Sequence, residues 1–102
     1  MKAKTPANGL PPIHPGEFLR ETLDDMALTQ AALADAIGVS AMRVSHVLRG
    51  DRPGTAELAL RLGRAFDQTP QYWLNLQSAY DLKVAQATMK DSIKAVRTLA
   101  VA

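Results

Sequence analysis

Apolar residues recur along this chain at spacings of three and four, the period of helices buried on one face, and nowhere do they alternate with the two-residue period of a strand. Pro15 at a first-turn position with Glu17 behind it opens a first helix, in which Phe18, Leu19, Thr22, Leu23 and Met26 form a stripe. Thr29 supplies a capping oxygen for a second, with Leu33, Ala34 and Ile37 on its inner side. Gly38 ends that helix, because the residue just past a helix takes a positive φ that glycine adopts at little cost, and Ser40 caps a third. Thr55 caps a fourth carrying Leu58, Leu60, Leu62, Ala65 and Phe66. Thr69 followed by Pro70 caps a fifth with Tyr72, Trp73, Leu74, Leu76 and Tyr80. The pattern weakens after Asp81, where Val84, Met89, Ile93, Val96 and Leu99 would line a further helix or an extension.

The expectation is therefore an all-α protein. Residues 1–12 hold three prolines with Asn8 and Gly9 and no apolar period, so they read as a flexible arm. Residues 13–85 form the helical domain, and residues 86–102 a helical extension or tail. A length of 102 residues with 47% hydrophobic content suits one modest core. With no cysteine, and His14 and His46 as the two histidines, the chain offers neither a disulfide framework nor a thiolate or histidine metal cluster, and a reducing cytosol fits. No apolar run approaches the roughly 20 residues of a bilayer crossing, and no apolar h-region follows the first lysines. No cofactor, metal or membrane is called for. The net charge of +2 alone does not demand a nucleic-acid partner. Its distribution says more, since residues 29–56 carry +1 and residues 82–102 carry +3, the latter read as the ordinary charge of a solvated face.

The segment from Gln30 to Val47 carries a specific motif. Two short helices meeting at a sharp angle need a small residue where their axes approach, a positive-φ residue at the bend and branched apolar residues inside the second helix. Ala34, Gly38 and the pair Val44 and Val47 supply these in order, the pattern of a helix-turn-helix, against the plainer reading of a helix pair joined only for packing. At about 100° per residue the third helix buries Val44, Val47 and Leu48 and turns Met42, Ser45, His46 and Arg49 outward, with Arg43 at the edge. Such a helix in the major groove of DNA reads base edges from its first residues and outward face, which selects Ala41, Met42, Arg43, Ser45 and His46. Ala41 and Met42 can touch a thymine methyl, and Arg43 or His46 can donate to guanine O6 or N7. Phosphates would meet Thr29 and Gln30 at the start of the second helix, together with Arg49 and Arg52. The other reading of those two arginines is solvated charge beside Asp51.

An enzyme is not expected. Ser45 and His46 are neighbours on one helix and cannot face each other as nucleophile and base, and Glu17 and Glu21 lack a third group. His14, before Pro15, reads as a hydrogen-bonding helix-start residue.

With these residues in place, IHPGEFLRETL, the helix-turn-helix and ALRLGRAFDQTPQYWLNLQSAYDLKVA resemble the HigA-type antitoxins. These are a branch of the Xre or lambda-repressor-like DNA-binding family of bacterial toxin–antitoxin modules, and the similarity runs from about Ile13 to Ala85. The resemblance implies a five-helix DNA-binding domain that dimerises, represses its own operon at a palindromic operator of double-stranded DNA, and neutralises a HigB-type toxin, a RelE-like mRNA interferase. It places operator reading on Ala41, Met42, Arg43 and His46, and action in the bacterial cytoplasm, on the nucleoid when bound to DNA. Departures from the family pattern are Pro53 and Gly54 before Thr55, and Gly63 where alanine is usual. Dimerisation also has a physical motive, since two copies on half-sites about 34 Å apart bury enough DNA surface for specificity. Trp73, Leu76 and Tyr80 share a stripe on the fifth helix that suits a dimer interface or simply closes the core. A plain Xre-type regulator without a toxin, or an interaction module that no longer binds DNA, are the competing functions.

Overall fold

Each of the first four helices starts at a residue whose side chain accepts a hydrogen bond from the helix's own first turn. In the computed structural model, which describes residues 11–100, α1 (Pro15–Met26) begins with His14 accepting from the Gly16 amide. α2 (Gln30–Ile37) begins with Thr29 accepting from Ala32, and α3 (Ala41–Leu48) with Ser40 accepting from Arg43. α4 (Ala56–Phe66) begins with Thr55 accepting from Leu58. Such caps contribute about 1 kcal/mol each. α5 (Pro70–Thr88) departs from the expected capping: Thr69 stands at its N-cap, yet its side chain makes no capping bond. Pro70 has no N–H to satisfy, and the Tyr72 amide donates to the Thr69 backbone carbonyl at 3.2 Å instead. α6 (Lys90–Lys94) is a single short turn with no buried residue. No strand occurs among the described residues. Most of the expected N-terminal arm, residues 1–10, lies outside them.

The core draws on every helix before α6. Phe18, Leu19 and Leu23 of α1, Leu33, Ala34 and Ile37 of α2, and Val44, Val47 and Leu48 of α3 meet Leu58, Ala59 and Leu62 of α4 and Trp73 of α5. The stripes end earlier than the sequence pattern suggests. Met26, the last residue of α1, is 52% exposed, and Leu60, about 200° around α4 from Leu58, is 61% exposed. α5 passes residue 85 without a break, and every residue from Gln86 to Ala100 is exposed, including Met89, Ile93, Val96 and Leu99. Those four residues line no packed face of a further helix.

Two glycines set how closely helices approach. A Cβ on Gly16, in the first turn of α1, would overlap the Val47 carbonyl oxygen and lie 3.0 Å from that of Leu48. The start of α1 thus rests directly on the end of α3. A Cβ on Gly63 would come within 2.6 Å of the Gln68 carbonyl oxygen, where the α4–α5 connection folds back over α4. The departure from alanine at this position therefore fits the tight corner of this chain.

Candidate nucleic-acid interface

α3 leaves α2 through a bend of 117°, with Gly38 at the turn in the left-handed region, φ 74°. Which side of α3 turns inward follows from its apolar residues. Val44, Val47 and Leu48 are sunk in the core at 2 to 4% exposure, so the opposite side has to face water. Ala41 and Met42 are exposed, Met42 at 67%, while Ser45 and His46 are half-buried and Arg43 sits half-buried at the edge. An apolar side chain left this open gains nothing from the fold itself.

Beside α3 runs an open cleft of about 450 Å³, with Met42, Arg43 and His46 on one wall and Arg52, Pro53 and Thr55 on the other. No carboxylate lines it. The structure thus brings Met42, Arg43, His46 and Arg52 together, while Ala41 and Ser45 lie on α3 outside the cleft lining. The other suggested phosphate contacts stand apart from that cleft. The Thr29 hydroxyl is engaged in capping α2, Gln30 is exposed beside it, and Arg49 pairs at 3.2 Å with Asp51, both side chains more than half exposed.

The loop that carries Arg52 is fixed by two residues that sequence reading did not connect with it. Gln77 of α5 accepts from the Gly54 amide at 2.6 Å through Oε1 and donates to Asp81 at 2.8 Å through Nε2. His14, only 8% exposed, accepts from Gly16 at 2.9 Å, is hydrogen-bonded to the Arg52 backbone and meets the Tyr80 ring edge-on at 4.9 Å. Its expected role as a helix-start hydrogen-bonding residue holds, and the same ring also joins the loop and α5.

Burial holds the pKa of His14 below the ordinary 6.5, outweighing the Arg52 backbone bond and the charges of Asp81 and Glu17, which favour protonation. The fold therefore prefers the neutral ring. Above about pH 6.5 neither state binds the proton and this stability is fully present; it is lost as pH falls through the lower folded pKa. Urea midpoints are expected to drop between pH 7 and pH 5 in the wild type and to change less over that window in His14→Gln. Parallel curves for the two proteins would assign the pH dependence to other groups.

A second network ties α3 to α4. Glu57 Oε1 accepts from Arg43 Nη2 at 3.2 Å, and Oε2 accepts from Arg61 Nε at 3.2 Å and pairs with its Nη2 at 3.1 Å. Arg61 Nη1 in turn donates to the Ile37 carbonyl, the last of α2, at 2.6 Å. The hydrogen bond from Arg43 and then that from Arg61 hold the Glu57 carboxyl below the usual range. Glu57 and Arg61 stand four residues apart on one helix, the spacing that brings two side chains together; the link to Arg43 crosses from α4 to α3.

Of the stripe that suited either a dimer interface or closing the core, Trp73 takes the core side. Trp73 is 3% exposed, and its Nε1 donates to Gln68 Oε1 at 3.0 Å. A ring closed in by its own chain has no face for another. Leu76 packs half-buried against the core, and Tyr80 is half-buried against His14.

Comparison with known proteins fits this geometry. A helix-turn-helix family model matches residues 19–73, from α1 through the start of α5. Antitoxin HigA-1 of Vibrio cholerae serotype O1 is 38% identical over 89 residues, covering 86% of this chain and 84% of that protein. The chain belongs to the helix-turn-helix family, in its HigA-type antitoxin branch. Another relative in the family, virulence-associated protein I of Dichelobacter nodosus, is 51% identical over 80 residues, 78% of this chain and 74% of that protein. Among solved structures, Pseudomonas aeruginosa antitoxin HigA with the higBA promoter superposes with a TM-score of 0.83 at 45% identity, covering 87% of this chain and 99% of that one.

Proposed function

We propose that this chain is an antitoxin that neutralises a RelE-like mRNA interferase of the HigB type and, as a dimer, represses its own operon by laying α3 into the major groove of a palindromic operator. The observation that carries the DNA half is the outward face of α3, an exposed methionine between cationic and polar neighbours, beside a cleft without carboxylates. A relative 45% identical, described with the higBA promoter, supports it. Ala41 and Met42 meet thymine methyl groups, Arg43 and His46 donate to guanine edges, and Ser45 completes the reading face. Thr29, Gln30, Arg49 and Arg52 take phosphates. Arg49 exchanges Asp51 for a phosphate at small cost, since exposed ion pairs contribute about 0–1 kcal/mol. With Trp73 in the core, pairing of two copies falls to apolar residues beyond that stripe, such as Leu82 and Ile93, which are 61% and 55% exposed.

The test is binding to the chain's own promoter duplex and to a random duplex across a salt series. Arg43→Ala and His46→Ala are expected to lose about 1–3 kcal/mol on the operator and much less on random DNA. Arg49→Ala should weaken both about equally. Equal losses on both duplexes for the first two variants remove α3 from the groove. Co-purification with the product of the adjacent gene tests the toxin half.

A further inference from the structure

The base-reading role proposed for Arg43 leaves open what aims its side chain, which has four rotatable bonds and projects from the edge of α3. The surrounding geometry answers this. Glu57 stands in the first turn of α4, so its position is set by the Thr55 cap and by Leu58 and Ala59 in the core, not by α3. Its two oxygens are divided between two cations, Oε1 to Arg43 and Oε2 to Arg61. Arg61 is itself anchored at 2.6 Å to the carbonyl that ends α2, directly beneath the turn, where a Cβ on Gly38 would lie 3.2 Å from Arg61 Nη1. The carboxylate is thus held from behind through Oε2 by the anchored Arg61 before it meets Arg43 in front through Oε1.

Resting on the reading of α3 as the groove helix, we infer that Glu57 is a positioning residue for sequence specificity, holding the Arg43 guanidinium in the orientation that meets a base. A guanidinium has five N–H donors in a rigid fork. The bond to Glu57 engages one of them at Nη2, so Arg43 can keep this partner and still donate to a base edge. A restrained arginine loses less side-chain freedom on binding, and its donors arrive in one geometry, which is what discriminates one base pair from another. The carboxylate's negative charge opposes phosphates at the same time, so Glu57 trades general DNA affinity for selectivity. A surface ion pair with no role in binding would have neither consequence.

The experiment uses the full chain with its own promoter duplex, a panel of single base-pair substitutions in each half-site, and a random duplex. Glu57→Ala is expected to lower discrimination about fivefold or more at the base pair where Arg43→Ala also lowers it. Binding to random duplex stays equal or tightens. Glu57→Gln, which keeps an acceptor oxygen, restores part of the discrimination. In an Arg43→Ala background, Glu57→Ala changes discrimination by less than about twofold, as expected for two residues acting as one unit. If Arg43→Ala alters discrimination and Glu57→Ala does not, or if the Glu57→Ala loss persists undiminished without Arg43, the inference is overturned while the groove reading stands. If wild-type protein binds the promoter no more tightly than random DNA, the groove reading falls and this inference with it. Thermal melts of Glu57→Ala and Arg61→Ala separate positioning from folding: a Glu57→Ala loss that equally weakens both duplexes and tracks a lower Tm makes the residue merely structural.

Discussion

Gly16→Ala is expected to cost about 3 kcal/mol, the upper end of what overpacking a tight contact costs, and so to lower Tm by about 12 °C or more. The sign is informative in itself. Helix propensity favours alanine over glycine by about 1 kcal/mol, so an isolated first helix would gain from the change. In the folded chain the new methyl meets the Val47 carbonyl oxygen and, 3.0 Å away, that of Leu48, which are main-chain atoms that cannot rotate aside. Relief requires α1 to lift from the end of α3, stretching the 3.5 Å contact from Arg20 Nη2 to the same Leu48 carbonyl. The defect should therefore also reach operator binding, because α1 is one of the surfaces that sets the tilt of α3. Gly54→Ala is the control: its Cβ would find Gln77 Oε1 at an ordinary 3.5 Å, and a Tm within about 4 °C of wild type is expected. A Gly16→Ala protein as stable as that control would show that α1 and α3 slide freely where they touch.

The contrast between Gly16 and Gly38 shows which parts of this molecule were legible in its sequence. Gly38 sits in a local frame, with a helix stripe before it, a capping serine after it and a φ of 74° that a single glycine between two such signals demands. The same holds for Thr29, Ser40 and Thr55, whose oxygens bond amides three residues on, and for Val44, Val47 and Leu48, whose burial follows from helical period alone. Gly16 carries no such frame. Next to Pro15 it reads as a feature of a first turn, and its need for hydrogen in place of a methyl comes from an oxygen 31 residues away in sequence, on Val47. The link from Glu57 to Arg43 spans 14 residues and that from Arg61 to Ile37 spans 24, so neither leaves a periodic trace. His14 was legible as a hydrogen-bonding residue from its place before Pro15, but not as the partner of Arg52 and Tyr80. Where a long helix such as α5 carries aromatic residues on one stripe, period shows that the stripe is apolar. Whether α4 or a second chain covers it is a tertiary matter.

Trp73 makes that last distinction measurable. Trp73→Ala is expected to lose about 3–5 kcal/mol, the range for removing a large buried aromatic, with a fall in Tm of about 12 °C or more. The ring fills the space between α4 and α5, stands edge-on to Tyr72 at 5.1 Å and lies 6.2 Å from Phe66, so its removal leaves a large cavity in the core. It also strands the Gln68 side chain that accepts from its Nε1. All of these partners belong to one chain, so the loss relative to wild type should be the same across a hundredfold range of protein concentration. A ring at a dimer interface behaves differently, because mass action restores the pair as concentration rises and the defect shrinks. Leu82→Ala on the same helix, at a position 61% exposed, is expected to leave the stability of the monomer within about 0.5 kcal/mol. A Trp73→Ala defect that fades at high concentration would return the ring to the surface between two copies and leave the α4–α5 contact to be closed by Leu62 and Leu76.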